Sequence, residues 1–220
     1  MNILEQLKSC LPSYETELPF SKEMVSFSPF KVKDAKNISI ILQEDNKKLA
    51  LNAMVDIVKN NSNIKNIESF CLADIEYLFL QIRSKSVDEV LNLIINGEKQ
   101  KLCISDIKIK NNLQTETFKL NDKIILYFET PKIKDLLTNP TFQEEDYVKA
   151  CLKKISINNE IYDLNKFITD ELKKLIENLP VNVIEKMNLF VKNDPSLYIT
   201  YKSDDNESEV NGFLTFFTWR

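Results

Sequence analysis

The sequence contains no histidine and only two glycines among its 220 residues. Without histidine, the chain cannot run Ser-His-Asp or Cys-His catalysis and cannot build a histidine-containing metal site. With glycine only at Gly97 and Gly212, it cannot form the glycine-rich loops whose backbone amides bind nucleotide phosphates. Large classes of enzymes are therefore excluded. We predict that the chain is not an enzyme and uses no cofactor and no small-molecule substrate.

Closely spaced cysteines and long apolar runs are also missing. The four cysteines, at positions 10, 71, 103 and 151, include no Cys-x-x-Cys pair. This spacing gives neither a zinc-binding nor a compact disulfide pattern, so we expect reduced thiols and no metal. The N-terminus lacks a secretion signal, and apolar runs such as Ile124–Phe128 are too short to cross a bilayer. We expect an intracellular protein with no membrane span.

Charge argues against a nucleic-acid partner. The formal net charge is -4 and the pI is near 5.2, so the chain weakly repels phosphate backbones. The lysines are spread among acidic residues without a basic arm. Nucleic-acid binding is therefore only a remote alternative. The hydrophobic fraction of 43% is typical of a globular protein of one large domain or two small ones.

The N-terminal part, residues 1–89, is predicted to be an arm followed by helices. Prolines interrupt the first thirty or so residues, and Met24–Phe27 has the character of a strand. Asp34 can cap a first helix. Apolar residues at helical spacing from Leu51 to Val58 predict a second helix, and a wide apolar stripe predicts a third from about Leu72 to Ile82.

The central part, residues 90–135, changes to alternating apolar positions, which predicts an antiparallel sheet. Asn121 and Asp122 suit a turn before a buried strand at Ile124–Phe128. Residues 87–95 remain open between two interpretations. Ser86 and Glu89 resemble a helix-capping box, whereas the β-branched content of the segment equally allows a strand.

The C-terminal part, residues 136–220, returns to helices. Thr141 and Glu144 form a capping box before a helical stripe that continues to Ile155. Further helices are predicted up to Pro195, and a terminal strand or hairpin follows, with an acidic turn at 203–209. The sequence therefore predicts an α+β fold with N-terminal helices, a central antiparallel sheet and C-terminal helices ending in a strand or hairpin. We expect the three parts to form one interlocked domain.

One segment carries a family resemblance. Residues Asp74–Val87 read DIEYLFLQIRSKSV, and this signature segment resembles the recurring signature of the T4-type bacteriophage baseplate hub assembly proteins. In that family, an acidic-aromatic-leucine helix runs into an Arg-Ser-Lys-Ser turn, which stands unaltered here from Arg83 to Ser86.

Other pieces agree in their order along the chain. They are Leu18–Ser21 (LPFS), the sequence Asn193-Asp194-Pro195, and Gly212 before a double phenylalanine. Cysteine pairs that occur in the strand regions of some relatives are not matched, since this chain has only Cys103 in the first such region. A metal site is therefore not carried over by the resemblance.

The resemblance implies a non-enzymatic late phage protein that acts in assembly of the baseplate hub by binding other tail proteins, like a chaperone. The alternative is a permanent structural subunit of the baseplate, and the sequence leaves both open. Assembly implies a location in the host cytoplasm, whereas a permanent subunit stays in the virion tail baseplate.

Two groups of residues are candidates for binding the partner. The first group is Tyr77, Arg83, Ser84, Lys85 and Ser86, and the second is Phe213, Phe216, Phe217 and Trp219. Arginine and aromatic residues are favoured at the centres of protein interfaces. Each group also has a purely structural interpretation. The basic turn can complement the helix dipole and cap its helix, and the aromatic tail can close its own core.

Overall fold

The structure is a computed structural model. It describes residues 10–41, 44, 46–95, 97–138, 144–167, 169–203 and 206–211. The chain divides into two compact units: unit 1 comprises Met1–Lys110 and Ser196–Arg220, and unit 2 comprises Asn111–Pro195. The division at residues 89/90 and 135/136 rests on sequence character, and it stays a prediction.

The described part of unit 1 starts with a β-hairpin, and three helices follow it. Strands β1 (Tyr14–Glu17) and β2 (Met24–Phe27) pair antiparallel, with Tyr14 opposite Phe27. Helices α1 (Val32–Ile41), α2 (Lys47–Asn61) and α3 (Leu72–Ser84) follow. The three predicted N-terminal helices and the predicted strand at Met24–Phe27 are confirmed.

Local sequence sets the ends of α2. The side chain of Asn46 accepts hydrogen bonds from the backbone amides of Lys48 and Leu49, which satisfies donors that the first helical turn leaves unpaired. Leu51, Met54 and Val58 are almost fully buried. Because these residues recur every three or four positions, one face of α2 packs against α1 and α3.

The open segment at 87–95 forms a strand. Strands β3 (Val90–Ile95) and β4 (Glu98–Cys103) pair antiparallel. Leu91 and Leu93 are buried, and Asn92 between them is exposed, as period-2 alternation requires. Gly97 adopts a φ of 86° in the connecting turn, a backbone conformation that glycine takes without steric cost.

A three-stranded sheet completes unit 1. It has the order β11-β10-β5 and contains β5 (Lys108–Lys110), β10 (Ser196–Ser203) and β11 (Asn206–Asn211). Every neighbouring pair is antiparallel. The terminal hairpin was predicted with its acidic turn at 203–209, but residues 206–211 form its second strand. Val210 lies opposite Ile199 and is buried with it, and this burial keeps the segment in strand form despite its acidic residues.

Unit 2 is built on a four-stranded antiparallel sheet of order β6-β7-β8-β9. The strands are β6 (Thr115–Asn121), β7 (Ile124–Glu129), β8 (Leu152–Ile157) and β9 (Glu160–Asp163). The predicted buried strand at Ile124–Phe128 is thus confirmed. Asn158 and Asn159 take φ values of 51° and 69° between β8 and β9, a conformation typical of a two-residue hairpin turn.

Among the described residues, the α-helices of unit 2 are α4 (Ile133–Leu137), α5 (Glu144–Cys151), α6 (Thr169–Glu177) and α7 (Val181–Lys192). Phe118, Leu126 and Phe128 of the sheet form a core with Met187 and Phe190 of α7. The helix predicted to continue to Ile155 was wrong at its end, since β8 begins at Leu152. There, pairing with β7 buries the same apolar residues at strand spacing.

The described elements confirm the α+β class, with helices, antiparallel sheets and strands at the end of the described chain. Among the described residues, no helix has the length and apolar character needed to cross a membrane.

Candidate functional site

The signature segment forms α3 and the turn that follows it. Asp74, in the first helical turn, is 1% exposed. Its carboxylate oxygens accept hydrogen bonds from the backbone amides of Phe20 at 2.9 Å and Ser21 at 3.0 Å. Its negative charge also lies near the positive end of the helix dipole. Asp74 therefore joins the signature segment to the LPFS sequence, another segment that carries the resemblance.

The LPFS turn has a conformation that needs such an anchor. The amide of Leu18 donates to the carbonyl of Glu23, and the amide of Lys22 donates to the carbonyl of Leu18. Lys22 adopts a φ of 61°, which is uncommon for residues other than glycine, asparagine and aspartate. Because Asp74 accepts from two amides within this turn, it stabilises a backbone arrangement that local propensity alone does not favour.

Ser86 ends the signature helix. Its hydroxyl lies 2.6 Å from the carbonyl oxygen of Ile82, to which it donates, and it accepts from the backbone amide of Phe30 at 2.7 Å. A serine that bonds back to the preceding turn competes with continued helix formation. The two hydrogen bonds join the chain just after α3, which ends at Ser84, to the segment before α1. The helix that the Ser86–Glu89 pattern allows does not form.

Arg83 is buried, with 1% of its surface exposed. Its Nη1 donates to the carbonyl oxygen of Asp88 at 3.2 Å. Burial lowers the pKa of Arg83, and the nearby charge of Asp88 acts in the opposite direction. A guanidinium presents several donors in a fixed planar geometry. In this position it ties the end of α3 to the chain that leads into β3.

Lys85 is the exposed residue among the five predicted contacts of this segment. It forms an ion pair with Glu89 at 2.8 Å, and its ammonium lies 5.8 Å from the centroid of the Tyr14 ring. The hydrogen bond to Glu89 raises the pKa of Lys85. Tyr77, Ser84 and Ser86 are half-buried, and Ser84 donates to the carbonyl of Gln81. The structure thus brings these residues together but leaves mainly Lys85 on the surface.

Glu76 is a buried acid that the sequence analysis did not single out. Its side chain is 4% exposed, and its Oε1 has no hydrogen-bond partner among the described residues. Burial raises the pKa of Glu76 to about 8, because a low dielectric disfavours the charged carboxylate. The unusually wide apolar stripe of α3 was the only feature of the sequence that indicated this burial.

The Asn193-Asp194-Pro195 sequence has a structural role in unit 2. Asp194 is 6% exposed, and its carboxylate accepts hydrogen bonds from the hydroxyls of Thr130, at 2.7 Å, and Tyr147. Burial raises the pKa of Asp194, while these two hydrogen bonds and Lys132 oppose the rise. The residues join the end of α7 to β7 and α5.

A buried ion pair lies elsewhere in unit 2. The ammonium of Lys153 in β8 contacts Asp135 of α4, and both side chains are under 10% exposed, at 9% and 8%. Asp135 also accepts from the backbone amide of Lys132 at 2.8 Å. A buried ion pair needs such additional hydrogen bonds to offset the cost of desolvation. The sequence analysis did not predict this ion pair either.

The second predicted contact group, Phe213, Phe216, Phe217 and Trp219, lies outside the described residues. Within the described ranges, no three His, Cys, Asp or Glu side chains are grouped so that they could hold a metal ion. The polar groups that are buried serve mainly as internal ties between elements. In this arrangement, the buried residues of the motifs hold the fold together.

A comparison with protein families identifies the kind of protein. The family model described as T4 bacteriophage base plate protein matches residues 11–218. The match covers nearly the whole chain, and the chain therefore belongs to this family. Neither a curated protein nor a solved structure matches it. Family membership gives the protein a structural role in the bacteriophage tail baseplate.

Proposed function

We propose that the protein is non-enzymatic and acts in assembly of the baseplate hub by binding other tail proteins. Support comes from the way its motifs are used. Asp74, Arg83 and Ser86 hold backbone groups of other segments, so these residues of the signature segment build a shape. A stable shape with a mixed surface suits recognition of other proteins.

Lys85 is the residue of the signature segment that we propose as a direct partner contact. It is exposed, whereas Arg83 contributes by fixing the turn that carries Lys85. Tyr77, Ser84 and Ser86 would border this contact. The aromatic residues Phe213, Phe216, Phe217 and Trp219 are proposed as a second contact, since aromatic side chains dominate the energy of many protein interfaces.

Quantitative mass spectrometry separates the assembly role from the permanent subunit. The chain would be measured in purified phage particles and in lysates of cells that are producing tails. Abundance in lysate together with absence from particles is the result expected of an assembly factor located in the host cytoplasm. A fixed copy number in finished particles would instead make the chain a permanent baseplate subunit.

Heparin chromatography tests the remote alternative of nucleic-acid binding. Flow-through at moderate salt is expected from a chain of net charge -4. Retention that falls steeply with salt would favour a nucleic-acid partner.

A further inference from the structure

One edge of the four-stranded sheet in unit 2 has its hydrogen-bonding groups aligned for another strand. Strand β6 ends this sheet and pairs only with β7 among the described strands. The amide of Thr130 donates to the carbonyl of Gln114 at 3.0 Å, so the backbone of Gln114 points towards β7. Because these directions alternate along an antiparallel strand, the backbone N–H and C=O groups of Thr115 and Thr117 point away from β7.

A groove of about 550 Å³ runs along this edge. The residues that line it are Glu116, Thr117, Phe118 and Lys119 of β6, and Lys186, Leu189, Phe190 and Asn193 at α7. Successive residues of a strand point to opposite faces of its sheet, so the four β6 residues of the lining come from both faces. No residue of β7 lines the groove. The groove therefore follows the free edge of β6.

The groove combines an apolar wall with a lysine that has no ion-pair partner among the described residues. Leu189 is 59% exposed, although Phe118 and Phe190 beside it belong to the core. Lys186 is exposed, and no described residue forms an ion pair with it. Lys119 is paired with Asp122 at 2.8 Å. The lining thus contains two lysines and one acid, Glu116.

We propose that this groove binds an extended segment of another baseplate protein, which adds to β6 as a fifth strand. Main-chain hydrogen bonds to Thr115 and Thr117 supply the affinity of such an added strand, and its alternate side chains supply specificity. Those on the Phe118 face contact Leu189 and are apolar. An acidic residue of the segment lies next to Lys186. The inference rests on the proposed role in binding tail proteins and names one surface that performs it.

A second copy of this chain fits the edge less well. When a twofold axis pairs two β6 strands antiparallel, the corresponding faces of the two sheets lie on the same side. Even-numbered residues of one strand therefore lie opposite even-numbered residues of the other, and odd-numbered residues lie opposite odd-numbered ones. Glu116 can therefore never lie opposite Lys119, and one register places the two Lys119 side chains opposite each other. Like charges directly opposite each other are destabilising. No register of a twofold pair therefore supplies a Glu116–Lys119 ion pair across the added edge, whereas a segment of another protein can carry an acidic residue beside Lys186.

The test uses the full chain with two edge variants and a matched control. Thr117→Pro removes an outward N–H, and proline is tolerated at an edge where the N–H faces away from the ladder. Thr117→Val keeps the N–H and the side-chain size. Leu189→Glu alters the groove wall without changing the strand, so it remains informative if Thr117→Pro does not fold.

The probes are overlapping synthetic peptides that cover the other baseplate proteins of the same phage. We expect a peptide with alternating apolar residues to bind, and to protect the amides of Thr115 and Thr117 from hydrogen exchange. Thr117→Pro and Leu189→Glu should each weaken binding about tenfold or more, whereas Thr117→Val should change it little. Absence of any binding peptide, or equal binding by all variants, would overturn the inference.

Capture of full-length baseplate proteins separates this inference from the proposed function. If the wild-type chain captures none of them, the proposed function itself fails. If it captures one and both edge variants capture it equally well, the function stands and strand addition is overturned. Sedimentation provides a further check, since a dimer that Thr117→Pro abolishes would replace the baseplate partner by a second copy of the chain.

Discussion

Asp74 and Phe20 are joined by a hydrogen bond of 2.9 Å, in which the backbone amide of Phe20 donates to Oδ1 of the Asp74 carboxylate. The two residues are 54 positions apart. The second oxygen of the carboxylate accepts from the amide of Ser21. The first turn of α3 therefore fixes the turn between β1 and β2, and two segments that carry the family resemblance meet at one side chain.

Asp74→Ala should destabilise the protein by about 2 kcal/mol or more, since hydrogen bonds to a charged group contribute about 1.5 to 3 kcal/mol each and their loss leaves two amides without an acceptor. Urea unfolding measures the change. Glu68→Ala, at an exposed acid, is the control and should have little effect. Equal losses in both variants would show that the anchoring role assigned to Asp74 is wrong.

Glu76→Gln should stabilise the protein increasingly as pH rises from about 5 to 8. The folded-state pKa is raised from 4.5 to about 8, so the folded chain holds a proton that the unfolded chain releases. The stability that protonated Glu76 contributes is fully present below the unfolded-state pKa of 4.5. It is lost as the pH rises through the folded-state pKa of about 8. Within that window, the difference between variant and wild type should grow by up to about 1.4 kcal/mol per pH unit.

Urea unfolding at pH 5.5, 7 and 8.5 provides this comparison, because all other titrating groups are shared by the two proteins. A stability difference that stays constant across the three pH values would contradict the raised pKa of Glu76.

Sequence patterns predicted the elements whose signals are local. The spacing of Leu51, Met54 and Val58 defines α2 because one helix face must be buried, whatever lies opposite. The change from helix to strand at Leu152 was missed, since the same apolar residues suit either spacing until β7 pairs with them. The burial of Arg83 was missed for a related reason. A basic residue at a helix end normally faces solvent, and only the path of the chain towards Asp88 encloses it.

Lys153→Met should destabilise the protein by about 3 kcal/mol, because it leaves the carboxylate of Asp135 buried without its cation. Lys154→Met is a matched control on the same strand, since Lys154 is exposed, and it should stay within about 0.5 kcal/mol of wild type. Thermal or urea unfolding measures both variants. Similar losses in the two would mean that the Lys153–Asp135 pair is not buried as described.

Substitutions at Arg83 and Lys85 should separate an effect on folding stability from an effect on partner binding. Arg83→Ala should lower stability by about 2 to 4 kcal/mol, because it empties a buried site and removes the hydrogen bond to the Asp88 carbonyl. Lys85→Glu should cost far less stability, since it breaks an exposed ion pair with Glu89 and an exposed contact with the Tyr14 ring. Reversing this charge should nevertheless weaken capture of baseplate proteins.

The comparison needs a charge-matched control for capture, and Lys36→Glu provides it, because Lys36 is an exposed lysine of α1. If Lys85→Glu reduces capture and Lys36→Glu does not, the loss is local to the signature segment and does not result from the added negative charge of the whole chain. If both variants capture partners as well as wild type while Arg83→Ala loses only stability, the signature segment serves folding alone. Partner contacts would then have to lie elsewhere on the protein, because a surface charge that can be reversed without effect takes no part in recognition.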